Sequence, residues 1–313
     1  MPSTPPSPER RLSIDDHRRE LDGYRYVYPV LSRRARGISI GINLNPDKAC
    51  NFDCIYCQVD RRTPGFKGVE PEAVYRELEK LLSRVKDGSL FRYPPFDSVE
   101  PRLQRVNDIS FSGDGEPTSA REFPDVLRSV IDLRSSMGMP ELKLILITNA
   151  TRFHRPAVHA ALLDLAAAGG SVWGKLDAGT EEYYRKIDVS HIPFAQIVTN
   201  LEIAARIAPL TIQSLFVDWE EARLSPDEIR AYADRLRGIL AAGGRIRAVQ
   251  VHTIARKPPH DNVFALPDEA LEAIARIIRR HVDIPVEVYH GHPRFQAARR
   301  GISSQADAWA TWT

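Results

Sequence analysis

Cys50, Cys54 and Cys57 are the only cysteines in the chain, and they share one short stretch with the spacing C-x3-C-x2-C. An odd number clustered this tightly is a poor disulfide framework, and reduced thiols in a cytosolic protein point to metal or redox chemistry. Sulfur ligands suit iron–sulfur clusters or zinc. Three thiolates on one loop can wrap a corner of a cubane [4Fe–4S] cluster and leave its fourth iron open to an exchangeable ligand. A structural zinc ion wants four ligands. No histidine lies in the loop to complete that set; the nearest in sequence are His17 and His154. Inert buried thiols are the third reading, and the convergence of all three on one loop weighs against it.

A second segment, Ser112-Gly113-Asp114-Gly115-Glu116-Pro117-Thr118, combines glycines with acids. The glycines permit close backbone approach to a ligand, and Glu116 can accept hydrogen bonds from an ammonium group. Taken alone, the segment is also an ordinary solvated turn. Asn149, after Thr148, can hydrogen-bond a ribose or carboxylate or simply form an Asx turn. Lys175 and Asp177 bracket Leu176, so strand alternation points both to one side. They are either a pair beside a reaction chamber or a structural salt bridge. There Lys175 would meet a substrate carboxylate or phosphate; a Schiff base is less favoured, because a paired lysine keeps its proton. One of Gln213 and Ser214 faces inward. Gln250, His252 and Ile254 share a face, and Arg256 follows it into a loop. His252 is a candidate substrate contact or a satisfied core histidine, and Arg256 an anion contact or part of a solvated face.

These residues need elements that bring them together. Gly37 to Ile42 reads as a first strand leading straight into the cysteine loop. Ile109–Phe111 is a second strand leading into the glycine–acid segment. Leu142 to Ile147 is a near-continuous apolar run, as in a buried parallel strand. Val172 to Leu176, Ile212 to Val217 and Ile246 to Thr253 are further strands, and Val286 to Val288 is a doubtful last one. Helical patterns fill the intervals at 71–86, 120–135, 156–168, 200–208, 226–242 and 267–281. Ser225-Pro226-Asp227-Glu228 reads as a capping box, with Ser225 at the N-cap and Glu228 at N3. Alternation of this kind predicts parallel β–α units, either a doubly wound sheet or a barrel. Both place ligands at the carboxyl ends of the strands.

The formal net charge is +2, from 43 basic against 41 acidic residues, which argues against a dedicated nonspecific nucleic-acid binder. The first 40 residues are richer in arginine (Arg10, Arg11, Arg18, Arg19, Arg25, Arg33, Arg34 and Arg36) and make a solvated arm or a phosphate contact. Tyr24, Tyr26 and Tyr28 alternate as an edge strand would. Nothing reads as a signal peptide or a membrane span, so a cytoplasmic protein without membrane association is expected.

The cysteine motif, with aromatic Tyr56 before its last member, resembles that of the radical S-adenosylmethionine (SAM) superfamily. The resemblance implies one [4Fe–4S] cluster on Cys50, Cys54 and Cys57. The amino and carboxylate groups of SAM chelate its open iron. Reductive cleavage then gives a 5′-deoxyadenosyl radical that abstracts hydrogen from a substrate. It implies that Tyr56 lies near the adenine, the alternative being a loop anchor packed on the core. Gly113, Asp114, Gly115, Glu116 and Pro117 resemble the family's Gly-Gly-Glu motif for the methionyl amino group, with Asp114 replacing the second glycine. Asn149, Asp177 and Ser214 join the cofactor side, Asp177 through the ribose hydroxyls. Lys175, Asp177, His252 and Arg256 become the catalytic set.

Tyr28-Pro29-Val30-Leu31-Ser32-Arg33-Arg34 and Gly41-Ile42-Asn43-Leu44-Asn45-Pro46 resemble the entry to the cluster loop in the tRNA wybutosine-synthesis branch and its uncharacterised single-cluster relatives. The likeness runs over roughly residues 28 to 290. The wybutosine enzyme carries a second cluster on three further cysteines. This chain has none to spare, which argues against that reaction. The implied fold is a partial (β/α)6 TIM-like barrel over 37–292, with an N-terminal extension over 1–36 and a tail over 293–313. A reducing partner such as flavodoxin or ferredoxin is implied, with a small-molecule or nucleotide-like substrate. A tRNA base modifier, an activase of a glycyl-radical protein and a non-catalytic iron–sulfur module are the alternatives.

Overall fold

Short apolar strands and amphipathic helices alternate through most of the computed structural model, which describes residues 12, 21, 23–32, 36–257 and 259–296. Most of the arginine-rich arm and of the expected tail lie outside the described residues. The strands are β1 (Val27–Ser32), β2 (Gly37–Ile42), β3 (Val106–Phe111), β4 (Lys143–Thr148), β5 (Ser171–Lys175), β6 (Leu210–Leu215), β7 (Val217–Trp219), β8 (Ile246–His252), β9 (Val263–Ala265) and β10 (Val286–Tyr289). The helices are α1 (Pro71–Lys86), α2 (Phe123–Ser136), α3 (Pro156–Ala167), α4 (Glu181–Ile187), α5 (Phe194–Ile207), α6 (Pro226–Ala241) and α7 (Asp268–His281).

Eight strands form one sheet in the order β1-β2-β3-β4-β5-β6-β8-β10. β1 runs antiparallel to β2, and the other neighbours are parallel. A doubly wound sheet must reverse its strand order at a switch point. Here the parallel strands follow one another in chain order without reversal, which is barrel winding. β1 and β10 do not pair, so the barrel is partial: six β–α units followed by the closing strand β10.

Each strand divides its residues between two environments, as its pleat requires. Ile40, Ile109, Leu144, Val172, Ile212 and Val249 are fully buried in the main apolar core. The opposite set, including Ser39, Ser110, Ile147, Trp173, Gln213 and Tyr289, lines a cavity of about 370 Å³. No helix among the described residues is long and apolar enough to cross a membrane.

The expected strands and helices are present with shifted ends, and three features differ. α5 begins at Phe194 rather than near residue 200, because Phe194, Ile197, Leu201 and Ala204 already carry the buried stripe. α4 was not expected. Neither was the two-stranded ribbon of β7 and β9, whose strands are three residues each. Tyr28 lies in β1, opposite Gly41 of β2, where a Cβ would strike the tyrosine ring.

The expected capping box at α6 is half formed. Ser225 Oγ accepts the Glu228 N–H at 3.2 Å. The Glu228 carboxylate turns away to the β5–α4 connection, where it accepts the Gly179 and Thr180 N–H groups and the Thr180 hydroxyl. This clamp holds the turn that carries Asp177 to the start of α4. Glu228→Ala strands those donors and is expected to lower the unfolding free energy by about 1–3 kcal/mol. Glu228→Gln should lose less, because one oxygen acceptor survives. Urea denaturation of both variants checks this; equal stability of Glu228→Ala and wild type would remove the clamp.

Candidate functional site

The cavity opens at the carboxyl ends of the strands, and the loop after β2 forms one wall. Backbone bonds tie this loop to the end of α4: Asp53 N–H to Asp188 O at 3.1 Å and Ile55 N–H to Ile187 O at 3.0 Å. The Phe52 ring meets Tyr184 edge-on at 5.6 Å. Asn51 bonds Thr151 at one side and accepts from Asn149 Nδ2 at 2.7 Å on the other. So fixed, Cys50, Cys54 and Cys57 are free thiols, partly exposed, and all three line the cavity. Asn149 Nδ2 lies 3.9 Å from Cys50 Sγ, and Arg61 Nη2 lies 3.9 Å from Cys57 Sγ.

Among the described residues, no three His, Cys, Asp or Glu side chains gather around a point suited to a single metal ion. A cubane asks for something different, since each cysteine binds its own iron. Three free thiols on a braced loop, facing an open cavity and without a fourth protein ligand, match that donor set.

The glycine–acid segment packs directly against the cysteine loop. A Cβ on Gly113 would lie 2.3 Å from Asn43 Oδ1, and one on Gly115 would lie 2.1 Å from Ala49 O. The glycines are therefore demanded by the chain's own loop, a reason different from the ligand approach expected from sequence. Asn43 and Asp114 close the contact with two hydrogen bonds, at 2.7 and 3.2 Å. Glu116 is 2 % exposed. Its Oε1 accepts from Thr118 N–H at 3.1 Å, from the Thr118 hydroxyl and from the Thr148 hydroxyl at 2.6 Å. Its Oε2 accepts only the Asn149 N–H, at 2.7 Å. Burial pushes its pKa up against these hydrogen bonds. A carboxylate has about four lone-pair sites, so the capacity left for a ligand lies on Oε2.

Tyr56 is buried, and its hydroxyl bonds both Asp177 and, at 3.3 Å, Asp188. Lys175 Nζ lies 3.3 Å from Asp177 Oδ2, donates to the Tyr56 oxygen and sits 4.4 Å from the tyrosine ring centre. Cys54 Sγ is 3.3 Å from Asp188 Oδ1. Burial, and then Asp177, pushes the pKa of both Tyr56 and Asp188 up. Burial alone would lower that of Lys175, but Asp177, Cys54 and Asp188 outweigh it and raise it.

Across the cavity, Lys175, Gln213, Gln250 and Glu287 are register partners on four neighbouring strands. Gln213 Nε2 donates to Gln250 Oε1 at 2.9 Å, and Gln250 Nε2 donates to Glu287 Oε2 at 3.1 Å. Tyr289 donates to the same oxygen at 2.8 Å. A carboxylate only accepts, so it sets the polarity of the row. That polarity leaves the amide oxygen of Gln213, the register neighbour of Lys175, as the acceptor at the end of the row.

The cavity thus brings together Cys50, Cys54, Cys57, Tyr56, Gly113, Asp114, Gly115, Glu116, Asn149, Lys175, His252 and Arg256. Arg256 Nη1 reaches Gln58 Oε1 on the cysteine loop at 2.9 Å. Three expected residues are not in its wall. Asp177 has a fully buried side chain behind Tyr56, with Oδ1 taken by the Leu215 N–H at 2.7 Å, so no face is turned to a ribose. Ser214 points to the helix layer, bonding Leu176 O and the Tyr232 hydroxyl, both at 2.6 Å; Gln213 is the inward residue. Pro117 begins a 3-10 turn behind the acid. Asp188 and Arg61 were not anticipated. The signal for Asp188 was the Glu181–Arg185 and Glu182–Lys186 pairing that marks α4.

The family model described as the radical SAM superfamily matches residues 44–218. The GTPase Obg of Brachyspira hyodysenteriae is 24% identical over 281 residues, covering 88% of this chain and 37% of that protein. A UPF0026 protein of Methanocaldococcus jannaschii is 27% identical over 169 residues, 52% of this chain and 43% of that protein. The chain spans less than half the length of these two relatives. The crystal structure of a radical SAM methyltransferase from Sphaerobacter thermophilus superposes with a TM-score of 0.59 at 14% identity, over 87% of this chain and 71% of that one. That likeness shows the fold.

Gly115→Ala tests the packing on which the site depends. The added methyl must displace the Ala49 carbonyl, an overpacking expected to cost about 1–3 kcal/mol. Thermal unfolding should register the loss, and thiol labelling should show a faster-reacting Cys50. Unchanged stability and labelling would mean that the two loops move independently.

Proposed function

The chain belongs to the radical SAM superfamily, and from that premise we propose that it is an enzyme that cleaves SAM and abstracts hydrogen from a small or nucleotide-like substrate. The observation that carries this reading is the convergence of three free thiols, Glu116 and Asn149 on one mouth of a partial barrel. Cys50, Cys54 and Cys57 hold one [4Fe–4S] cluster, which when bound supplies the electron that converts SAM to methionine and the hydrogen-abstracting 5′-deoxyadenosyl radical. A low-potential carrier such as flavodoxin or ferredoxin delivers the electron.

The chain's own residues divide the remaining work. Glu116 takes the methionyl ammonium on Oε2, where one hydrogen-bonding position is left. Asn149 lies between the cysteine loop and Glu116 and orients the methionyl end. Tyr56 forms a wall through its ring, and its hydroxyl stays bound to the carboxylates beneath. Lys175 presents a cation to the substrate, and Gln213 presents an acceptor in the next register position. Such a pair fits a substrate with an anionic or carbonyl group beside an N–H or O–H. His252 and Arg256 border the entrance. Asp177 is a positioning residue for Lys175 and Tyr56. Bound SAM and substrate filling the mouth keep water from a reactive radical.

Glu116→Gln removes the charge and keeps the shape. SAM affinity, measured by equilibrium binding on protein of matched iron content, should fall at least about tenfold, a loss near 1.4 kcal/mol. An unchanged dissociation constant would take the ammonium away from Glu116.

Lys175→Met separates two roles. Removing the cation leaves Asp177 buried with only neutral partners, so stability should drop by about 3 kcal/mol. Cleavage of SAM without substrate should persist, while substrate-dependent product falls at least about tenfold. Equal product formation would reduce Lys175 to half of a structural ion pair.

A further inference from the structure

A second cavity, of about 330 Å³, borders the cysteine loop and shares Cys50 with the first. Its walls include Asn45 and Asp47 on the loop, Ser119 and Glu122 at the entry to α2, and Arg152 in the turn after β4. Three buried side-chain atoms on these walls have no hydrogen-bond partner: Asn45 Oδ1, Ser119 Oγ and Arg152 Nε. Native interiors leave few such atoms, and each asks for a water or an ion. Their gathering around one cavity points to a polar occupant.

The charges around the cavity say which kind. Among the described residues, no carboxylate forms an ion pair with Arg152 and its guanidinium donates no hydrogen bond. Burial, and then the neighbouring Arg155, holds its pKa below the usual value, with Glu116 only partly opposing. Both acids on the walls are engaged elsewhere. Glu122 is bound by Arg121 Nε at 2.5 Å, and Asp47 Oδ1 accepts the Ala49 N–H at 3.1 Å. Glu122 makes no side-chain capping bond to α2. α2 itself adds little at this wall: its Phe123 N–H bonds Ala120 O at 3.2 Å, Pro124 has no N–H, and Asp125 sits in the first turn. Asn45 is 6 % exposed, and a half-turn of its amide exchanges the unpartnered oxygen for a donor.

We propose that this cavity binds a small oxyanion, a phosphate or carboxylate group, between Arg152, Ser119 and Asn45. The guanidinium fork engages two of its oxygens. The Ser119 hydroxyl and the Asn45 amide supply further donors. The space equals that of about ten waters at ~30 Å³ each, enough for a phosphate or a carboxylate with part of its hydration shell. The site meets the SAM-side cavity at Cys50 and otherwise has its own walls, so its occupancy is measured without the radical reaction.

Isothermal titration of the full chain, in low-salt buffer with iron content matched across samples, tests this. Inorganic phosphate and acetate serve as probes, and whichever saturates at the lower concentration identifies the group. Wild-type protein should show one saturable site. Arg152→Met should weaken it at least about tenfold, the loss of a charge-assisted pair. Ser119→Ala should weaken it several-fold, and Arg155→Met, an exposed neighbour, less than about twofold. Arg152→Lys keeps the charge and loses the fork, so it should fall between wild type and Arg152→Met; it also serves if the methionine variant misfolds by circular dichroism. Failure of both probes to saturate would overturn the proposal. So would equal losses from Arg152→Met and Arg155→Met, the mark of unspecific screening.

Discussion

Two carboxylates, Asp177 and Asp188, are buried side by side where the barrel's mouth meets the cysteine loop. Ionised groups taken out of water are costly unless other groups replace their hydration. Here the replacement comes from three directions: the Tyr56 hydroxyl from the loop, Lys175 from the end of β5, and the Leu215 N–H from β6. Meeting that demand fixes the geometry. Tyr56 can give its one hydroxyl proton to Asp177, with Asp188 at 3.3 Å, only while the loop lies against the end of α4, and the loop's backbone bonds to Ile187 and Asp188 hold it there. Two of the three cysteines, Cys54 and Cys57, flank Tyr56, so the pair of acids sets their place as well. Lys175 is drawn into the cavity wall with 24% of its side chain exposed, poised between its carboxylate and the chamber.

The other side of the loop is fixed by volume rather than charge. Gly113 and Gly115 let the glycine–acid segment close on Asn43, Asn45 and Ala49. The same contact carries Glu116 beneath Thr148 and Asn149, where four hydrogen bonds hold its carboxylate in one orientation. A flexible acid would lose side-chain entropy on meeting a ligand; one already held has lost it on folding. Charge and packing thus act on opposite edges of one loop and leave its thiols facing the space between.

Much of this was legible in the sequence, and the rest failed for identifiable reasons. Cysteine spacing placed the loop, because three thiols so close together have few other uses. Ser225 marked the start of α6, since an N-cap hydroxyl followed by proline is a local signal. Glu228 was legible as an N3 acid, but its partners lie at Gly179 and Thr180, 48 or 49 positions away, and no local pattern reports a contact at that distance. Ser214 and Gln213 were interchangeable from sequence. A strand's facing depends on its pairing, which is not local: Gln213 faces inward because it stands in register with Lys175 and Gln250 on the neighbouring strands. Asp177 was expected beside Lys175 on an alternating strand. β5 ends at Lys175, and the turn that follows tucks the acid behind Tyr56. Asp188 depended on α4, a helix of seven residues, too short for a convincing apolar stripe.

The central claim is that the three thiols and the acids around them form a site for reductive cleavage of SAM. The direct measurement is 5′-deoxyadenosine, assayed by mass spectrometry after anaerobic reconstitution of the full chain with iron and sulfide, reduction, and addition of SAM. Wild-type protein carrying about four irons per chain should release 5′-deoxyadenosine, and Cys54→Ala, prepared in the same way, should release none. Fully loaded, reduced wild-type protein that binds SAM and yields no 5′-deoxyadenosine would contradict the account.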